Sequence, residues 1–409
     1  MISGRGIFKL SGVLQGYSWG GTRFLPGLLG IANEEGKPMA EYWMGAHAAA
    51  PSLVQTNGQE ETLDNLIQSD PMHLLGRRVY DAFGSLPYLF KVLDVKDMLS
   101  IQVHPTLSAA RQCFAEENKK GIPLGAPERN YKDGNHKPEL MLALGPFWLL
   151  HGFRDQPSMQ DMLIRVPELR HLIPVWESSG YQGLYEKVML QPQDLVNKQL
   201  APLVDRIVPL YKDGKLDRDN PDFWAARAYL TYCSSDKIDR GLYSVYFLNL
   251  VQLQKGEAIF QDAGILHAYL EGQNLELMAN SDNVLRGGLT HKHIDTKELL
   301  RHVTYQPTTP TVIKAVENGP AGESTFLTPA PDFELQQIQL AKDKGRTLQS
   351  DTMEIFLVLE GAVEVKDRFC ELKLHKGGSF LAVAGAHFEL RATQSCLIYK
   401  ATVPRTIGV

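Results

Sequence analysis

The chain has 409 residues, enough to bury a large core, and its 44% hydrophobic and 22% charged content is that of an ordinary folded protein. A formal net charge of −5 gives no general attraction for nucleic acid or an anionic membrane, so an anionic ligand must be held by a local basic cluster. The four cysteines, Cys113, Cys233, Cys370 and Cys396, form no CxxC pair, no apolar run nears the roughly 20 residues of a membrane span, and the N-terminal stretch lacks a signal-peptide core; the expectation is a cytoplasmic protein with buried thiols.

Residues 1–150 break into short apolar runs separated by Gly, Pro and Asn, as in a β unit; Tyr88–Leu93 and Leu99–His104 read as strands. Leu107–Cys113 reads as a short helix, and strand character returns over Asn135–Leu144. From about 155 to 240 the pattern is helical. Asp194 reads as the N-cap of a helix carrying Val196, Leu200, Leu203, Val204, Ile207 and Val208, with Pro202 and Pro209 limiting its length. Asn220-Pro221 places a second N-cap before a first-turn proline. Ser244–Leu253 reads as strand, with that character persisting to His267, and Pro307–Thr311 as a linker. The segment 320–409 is again β, with Glu354–Leu359 and Ala362–Val365 flanking Glu360-Gly361 as a hairpin and Gly377-Gly378 as a turn. Each β half carries a glycine turn, an apolar strand and a histidine (His267, His387), which suggests a duplicated barrel.

Gln102 and His104 are two residues apart, so on a strand they address one point. Glu139 in Lys-Pro-Glu-Leu adds a carboxylate, and His267, after the Gly264 turn, adds a second imidazole. Two imidazoles, an amide oxygen and one carboxylate suit Zn²⁺ or a similar divalent ion, and one carboxylate leaves about one net positive charge for Lewis-acid work. On spacing alone, a Gln-x-His pair on a strand is more often a hydrogen-bonded polar pair inside a barrel than a metal site.

Longer stretches decide the matter. Tyr17-Ser-Trp-Gly20, Ala40–His47, Leu86–Leu93, Leu99–Pro105, Tyr131–Leu140, His267–Gly272 and Met278–Thr290 together resemble, in order and over nearly the whole chain, the type I phosphomannose isomerases. The resemblance implies a mainly β fold of two cupin (jelly-roll) barrels with a helical insertion. The catalytic barrel would comprise 1–153 with 241–308, the insertion 154–240, and a C-terminal barrel without metal 309–409. It implies one Zn²⁺ per chain on Gln102, His104, Glu139 and His267, and conversion of mannose 6-phosphate to fructose 6-phosphate through a cis-enediol(ate). Trp19, Ser100, Lys137, Tyr269, Asp282, Arg286 and Lys292 match the family's active-site positions. Gly287 stands where alanine is usual and His291 where proline is usual, which bears on the reach of Lys292.

Within that frame Arg286, followed by two glycines that would admit a substrate, stabilises developing charge; Lys137 shares a face with Glu139, and Lys292 is a further phosphate contact. Asp282 and the His136/Lys137 pair compete for the role of base, and Glu276 is expected to orient a ligand histidine. Trp19, Ser100 and Tyr269 line the sugar pocket, His47 bonds internally, and His387 is scaffold. The expected partner is a hexose 6-phosphate, with no nucleic acid or membrane and a monomeric chain. The competing readings are a cupin iron oxygenase, which Gln102 disfavours, and a non-catalytic sugar-phosphate-binding protein.

Overall fold

The computed structural model describes residues 6–56, 58–234, 236–319 and 322–406, and it is mostly sheet. Two antiparallel sheets carry the fold. The first is organised by the long strand His267–Ala279, which pairs along its length with Tyr88–Val95, Glu139–Ala143 and Phe147–Phe153, and at its first residue with Gln102–Val103. The second is organised by Glu354–Lys366 against His387–Thr402. Its far edge is made by N-terminal chain: Ile7–Ser11 pairs with Ser379–Ala382, and Leu53–Thr56 pairs with Ile7–Ser11. The sheets therefore cut across the boundary expected at residue 309.

Alternation along the strands explains what each face does. Tyr88, Phe90 and Val92, with Leu140, Leu142, Leu275 and Leu277, point into one core shared with Ile355, Phe356, Leu390 and Ile398 of the second sheet. The residues between them, including Lys91, Glu139 and Glu276, point the other way, into the first sheet's own interior. Strands buried on both faces read as continuous apolar runs, so a charged residue inside one is the informative exception.

A run of helices from Gln156–Arg165 to Gly241–Phe247 lies between Phe147–Phe153 and Leu248–Leu253, around a separate core with Trp224, Tyr185 and Leu200 at full burial. Asn220 caps Pro221–Tyr232 as expected, its side chain accepting from the Asp222 N–H. Asp194 is not a cap: the helix Gln193–Lys212 begins after Pro192, and Asp194 sits in its first turn, where a carboxylate complements the helix dipole. Pro202 and Pro209 lie inside that helix without ending it, because burial of Val196, Leu200, Leu203, Val204 and Ile207 holds the face in place.

Three readings are corrected. Ser244–Phe247 belongs to a helix, Gly241–Phe247, in which every residue is buried; a segment buried all round shows no period. Glu354–Lys366 is one strand, not a hairpin: Gly361, at φ 79°, takes up register shifts while both halves pair with His387–Thr402. Leu99–His104 contributes only the two-residue strand Gln102–Val103.

The Tyr88 hydroxyl ties the sheets together, lying 3.1 Å from the Met353 carbonyl and 3.0 Å from that of Ala401 at full burial. Tyr88→Phe is expected to lower unfolding free energy by about 1–2 kcal/mol, read from the midpoint of a urea titration.

Candidate metal centre and active site

Three donor groups meet inside the first sheet. His104 Nε2 lies 3.4 Å from Glu139 Oε1, and His267 Nε2 lies 3.5 Å from Glu139 Oε2. The two rings stand 5.0 Å apart, and all three residues are buried. Each imidazole is aimed by a backbone carbonyl at its other nitrogen: His104 Nδ1 by Asn283 O at 2.8 Å, His267 Nδ1 by Ile265 O at 2.9 Å. Those bonds put the proton on Nδ1 and leave the Nε2 lone pairs facing the carboxylate.

The local chain explains the convergence. Gly264 takes φ 81°, and a Cβ there would lie 2.3 Å from Thr304 Oγ1, so the turn that delivers His267 requires glycine. Asn283 accepts the Lys132 N–H and donates to the carbonyls of Asp133 and Asn135, knitting two loops around His104. Gln102 is registered directly across from His267 and from Arg286, which puts its amide on the same face.

The electrostatics fit a cation. Burial pushes His104 down to about 4, so the ring is neutral at pH 7, and its buried Nε2 has no hydrogen-bond partner. Burial opposes ionisation of Glu139, yet the Lys137 ammonium, 3.0 Å from Oε1, leads the interactions that outweigh it and hold the carboxyl well below its ordinary range. Beside them lies a buried trio: Lys91 Nζ is 3.1 Å from Glu276 and 3.5 Å from Glu41, and 4.8 Å from the Trp43 ring centre. Burial works against the Lys91 charge, but Glu41 and then Glu276 raise its pKa. Three buried carboxylates (Glu41, Glu139, Glu276) face two ammonium groups, and burial and then Glu139 raise the Glu276 pKa; a divalent ion would relieve that imbalance.

Of the expected residues, Lys137 touches this centre directly and Tyr269 borders the buried trio beside it. Lys137 reaches Glu139 from outside the strand Glu139–Ala143. Asp282 pairs with His47 at 3.3 Å, and its carboxyl is held low first by that hydrogen bond. Arg286 pairs with no carboxylate among the described residues, and burial lowers its pKa. Tyr269 is buried and donates to Glu276 at 2.9 Å, so its hydroxyl is spent inside the wall. Glu276 accordingly serves Lys91 and Tyr269 rather than a ligand histidine. His136 is 2.9 Å from Asp332 beside the second sheet, which takes its Nε2 out of play as a base.

Trp19 stacks on Tyr17, and Ser100 precedes Gln102 in the loop. Lys292 is exposed beside a cavity of about 600 Å³ that Lys237 and Arg240 also line. The glycines after Arg286 serve packing: a Cβ on Gly288 would lie 2.6 Å from the Gly241 Cα. His387 is exposed and stands apart from the cluster.

Two groups escaped the sequence reading. The Lys91 trio carried one signal, a lysine inside the apolar run Tyr88–Val95. His151 is registered against His267, buried, and pushed down to about 4 by that burial; nothing in its sequence context marks it.

Fold and site define a β-sheet protein with an internal His–Glu–His centre suited to a divalent cation. The family model for the phosphomannose isomerase type I catalytic domain matches residues 7–156. Mannose-6-phosphate isomerase of Escherichia coli is 37% identical over 383 residues, covering 92% of this chain and 94% of that protein. The Homo sapiens mannose-6-phosphate isomerase is 32% identical over 430 residues, covering 97% and 98%. The Salmonella typhimurium mannose 6-phosphate isomerase structure bound to fructose 6-phosphate and zinc superposes with a TM-score of 0.87 at 34% identity, covering 98% of this chain and 100% of that one. The chain belongs to the type I phosphomannose isomerase family, and it is an isomerase.

His104 and His151 stay neutral in the folded protein to about pH 4 but take up protons near 6.5 when unfolded. The unfolded state then binds more protons, so metal-stripped protein loses stability as pH falls from about 6.5 towards 4, by on the order of a few kcal/mol in total. Thermal melts of stripped protein between those limits check this, and His151→Gln is expected to shrink the slope. His267→Ala is expected to abolish tight binding of one metal equivalent, and His387→Ala to leave it intact, as read by elemental analysis after dialysis.

Proposed function

We propose that the chain interconverts mannose 6-phosphate and fructose 6-phosphate as a zinc-dependent aldose–ketose isomerase, on two cupin-type barrels with a helical insertion. The observation carrying this reading is the buried His104–Glu139–His267 centre, in a chain alike over its whole length to a protein whose structure holds zinc and fructose 6-phosphate. His104, Glu139 and His267 would hold the ion, with Gln102 as the fourth ligand.

The reaction moves a proton between C2 and C1 of the open-chain sugar through a cis-enediol(ate), and its cost is the negative charge that grows on the two oxygens. Bound zinc supplies a Lewis acid for that charge. Arg286, free of any carboxylate among the described residues, adds a fixed positive charge on the same side as Gln102. Lys137 neutralises Glu139 in the free enzyme and is placed to donate to a substrate oxygen at the metal. Asp282, kept ionised against His47, is the carboxylate available for proton transfer once Glu276 and His136 are committed elsewhere. Lys292 and its basic neighbours receive the phosphate; Trp19 and Ser100 close the sugar side.

Conversion of mannose 6-phosphate, coupled to consumption of fructose 6-phosphate, is expected to vanish with chelator and return with zinc; absence of turnover in zinc-replete protein would overturn the reading. Arg286→Ala is expected to lower kcat by about 10²–10³-fold. Lys292→Ala is expected to raise KM with a much smaller change in kcat, which steady-state kinetics separate.

A further inference from the structure

A second set of donors lies away from this centre. Cys113, on the helix Leu107–Lys119, and Glu298 and His302, on the helix Thr296–His302, bring a sulfur, a carboxylate oxygen and an imidazole nitrogen within 4.8 Å of one another. Glu298 and His302 are four residues apart and so share a helix face. The cap that starts their helix is firm: Asp295 accepts the Glu298 N–H at 3.0 Å and takes the Asn130 amide on its other oxygen.

The atoms are aimed at a common point. Glu298 Oε2 accepts from Arg301 at 2.7 Å, and Oε1 turns inward, 3.2 Å from His302 Nε2. The Tyr131 hydroxyl closes the group, 2.5 Å from Glu298 Oε1 and 2.6 Å from His302 Nε2. Cys113 is 5% exposed, and the side chains of His302 and Glu298 are 8% and 14% exposed. A cavity of about 190 Å³ opens on to Cys113, Tyr131 and Glu298, and its wall carries five carboxylates against two cations, a field that draws positive ions.

We propose that Cys113, Glu298 and His302, with the Tyr131 hydroxyl as fourth donor, form a second metal site for a borderline divalent cation of the zinc class. The mixed sulfur, nitrogen and oxygen set matches such ions, and hard ions such as Mg²⁺ would leave the sulfur unused. Binding is a proton exchange: the thiol proton leaves to solvent as the sulfur–metal bond forms, and the imidazole proton moves to Nδ1 to free Nε2. Thiolate and carboxylate then offset the two charges of the ion, with Arg301 remaining on the outer oxygen of the carboxylate. The ion would clip the two helices together where the hydrogen-bonded tyrosine otherwise bridges them.

The site differs from the isomerase centre in one measurable respect: only it contains a sulfur. Reduced, chelator-stripped full-length protein titrated with Co²⁺ is expected to bind two equivalents, one of them with an intense near-ultraviolet thiolate-to-metal band. That band should disappear in Cys113→Ser, need at least about tenfold more cobalt in His302→Gln, and persist in His267→Ala, whose loss falls on the other equivalent. No band at saturating cobalt in the native chain, or a band surviving Cys113→Ser, would overturn the proposal and leave the cluster a hydrogen-bonded brace. The outcome is independent of isomerase activity, which reads the other centre.

Discussion

The Glu139 carboxylate, ionised at 4% exposure, is the constraint around which the rest is arranged. A charge so placed is costly unless nearly every direction from it meets a compensating group. Here Lys137 provides one of them, and a divalent ion held by the two imidazole nitrogens would provide another. Fixing the rings in turn requires the Gly264 turn and the Asn283 knot, so the loops are as constrained as the strands. Lys91, Glu41 and Glu276 then form a buried charged layer behind, two carboxylates sharing one ammonium.

That arrangement explains why one face of the first sheet does chemistry while the other does packing. The same three strands present Phe90, Leu140 and Leu277 outward to the second sheet and Lys91, Glu139 and Glu276 inward. A one-residue slip would bury charge in the apolar core, so the register is held by both faces at once.

How much of this was legible in the sequence depended on the kind of signal. Gln102, His104, Glu139 and His267 were a weak set on spacing and became specific through the long ordered matches around them. Strand Tyr88–Val95 and the Asn220 cap followed from local chemistry. Gly241–Phe247 did not, because burial on all sides erases the helical period, and Gly361 looked like a turn because a bulge and a turn use the same residue. Partnerships were the least legible. That Asp282 would face His47, Tyr269 face Glu276, and His136 face Asp332 depends on tertiary placement across 196 to 235 positions of chain or within one bent strand, which no local pattern encodes.

The pairing of Ile7–Ser11 with Ser379–Ala382 has a consequence for how the molecule is made. During synthesis Ile7–Ser11 emerges long before Ser379–Ala382; Leu53–Thr56 can pair with its last residues, but Ile7 and Phe8 wait for their partner strand until Ser379–Ala382 has been translated. Closing so long a loop is slow, and an unpaired apolar strand invites association in the meantime. Completion of the second sheet therefore waits for Ser379–Ala382, and Ile7–Ser11 is left long without that partner.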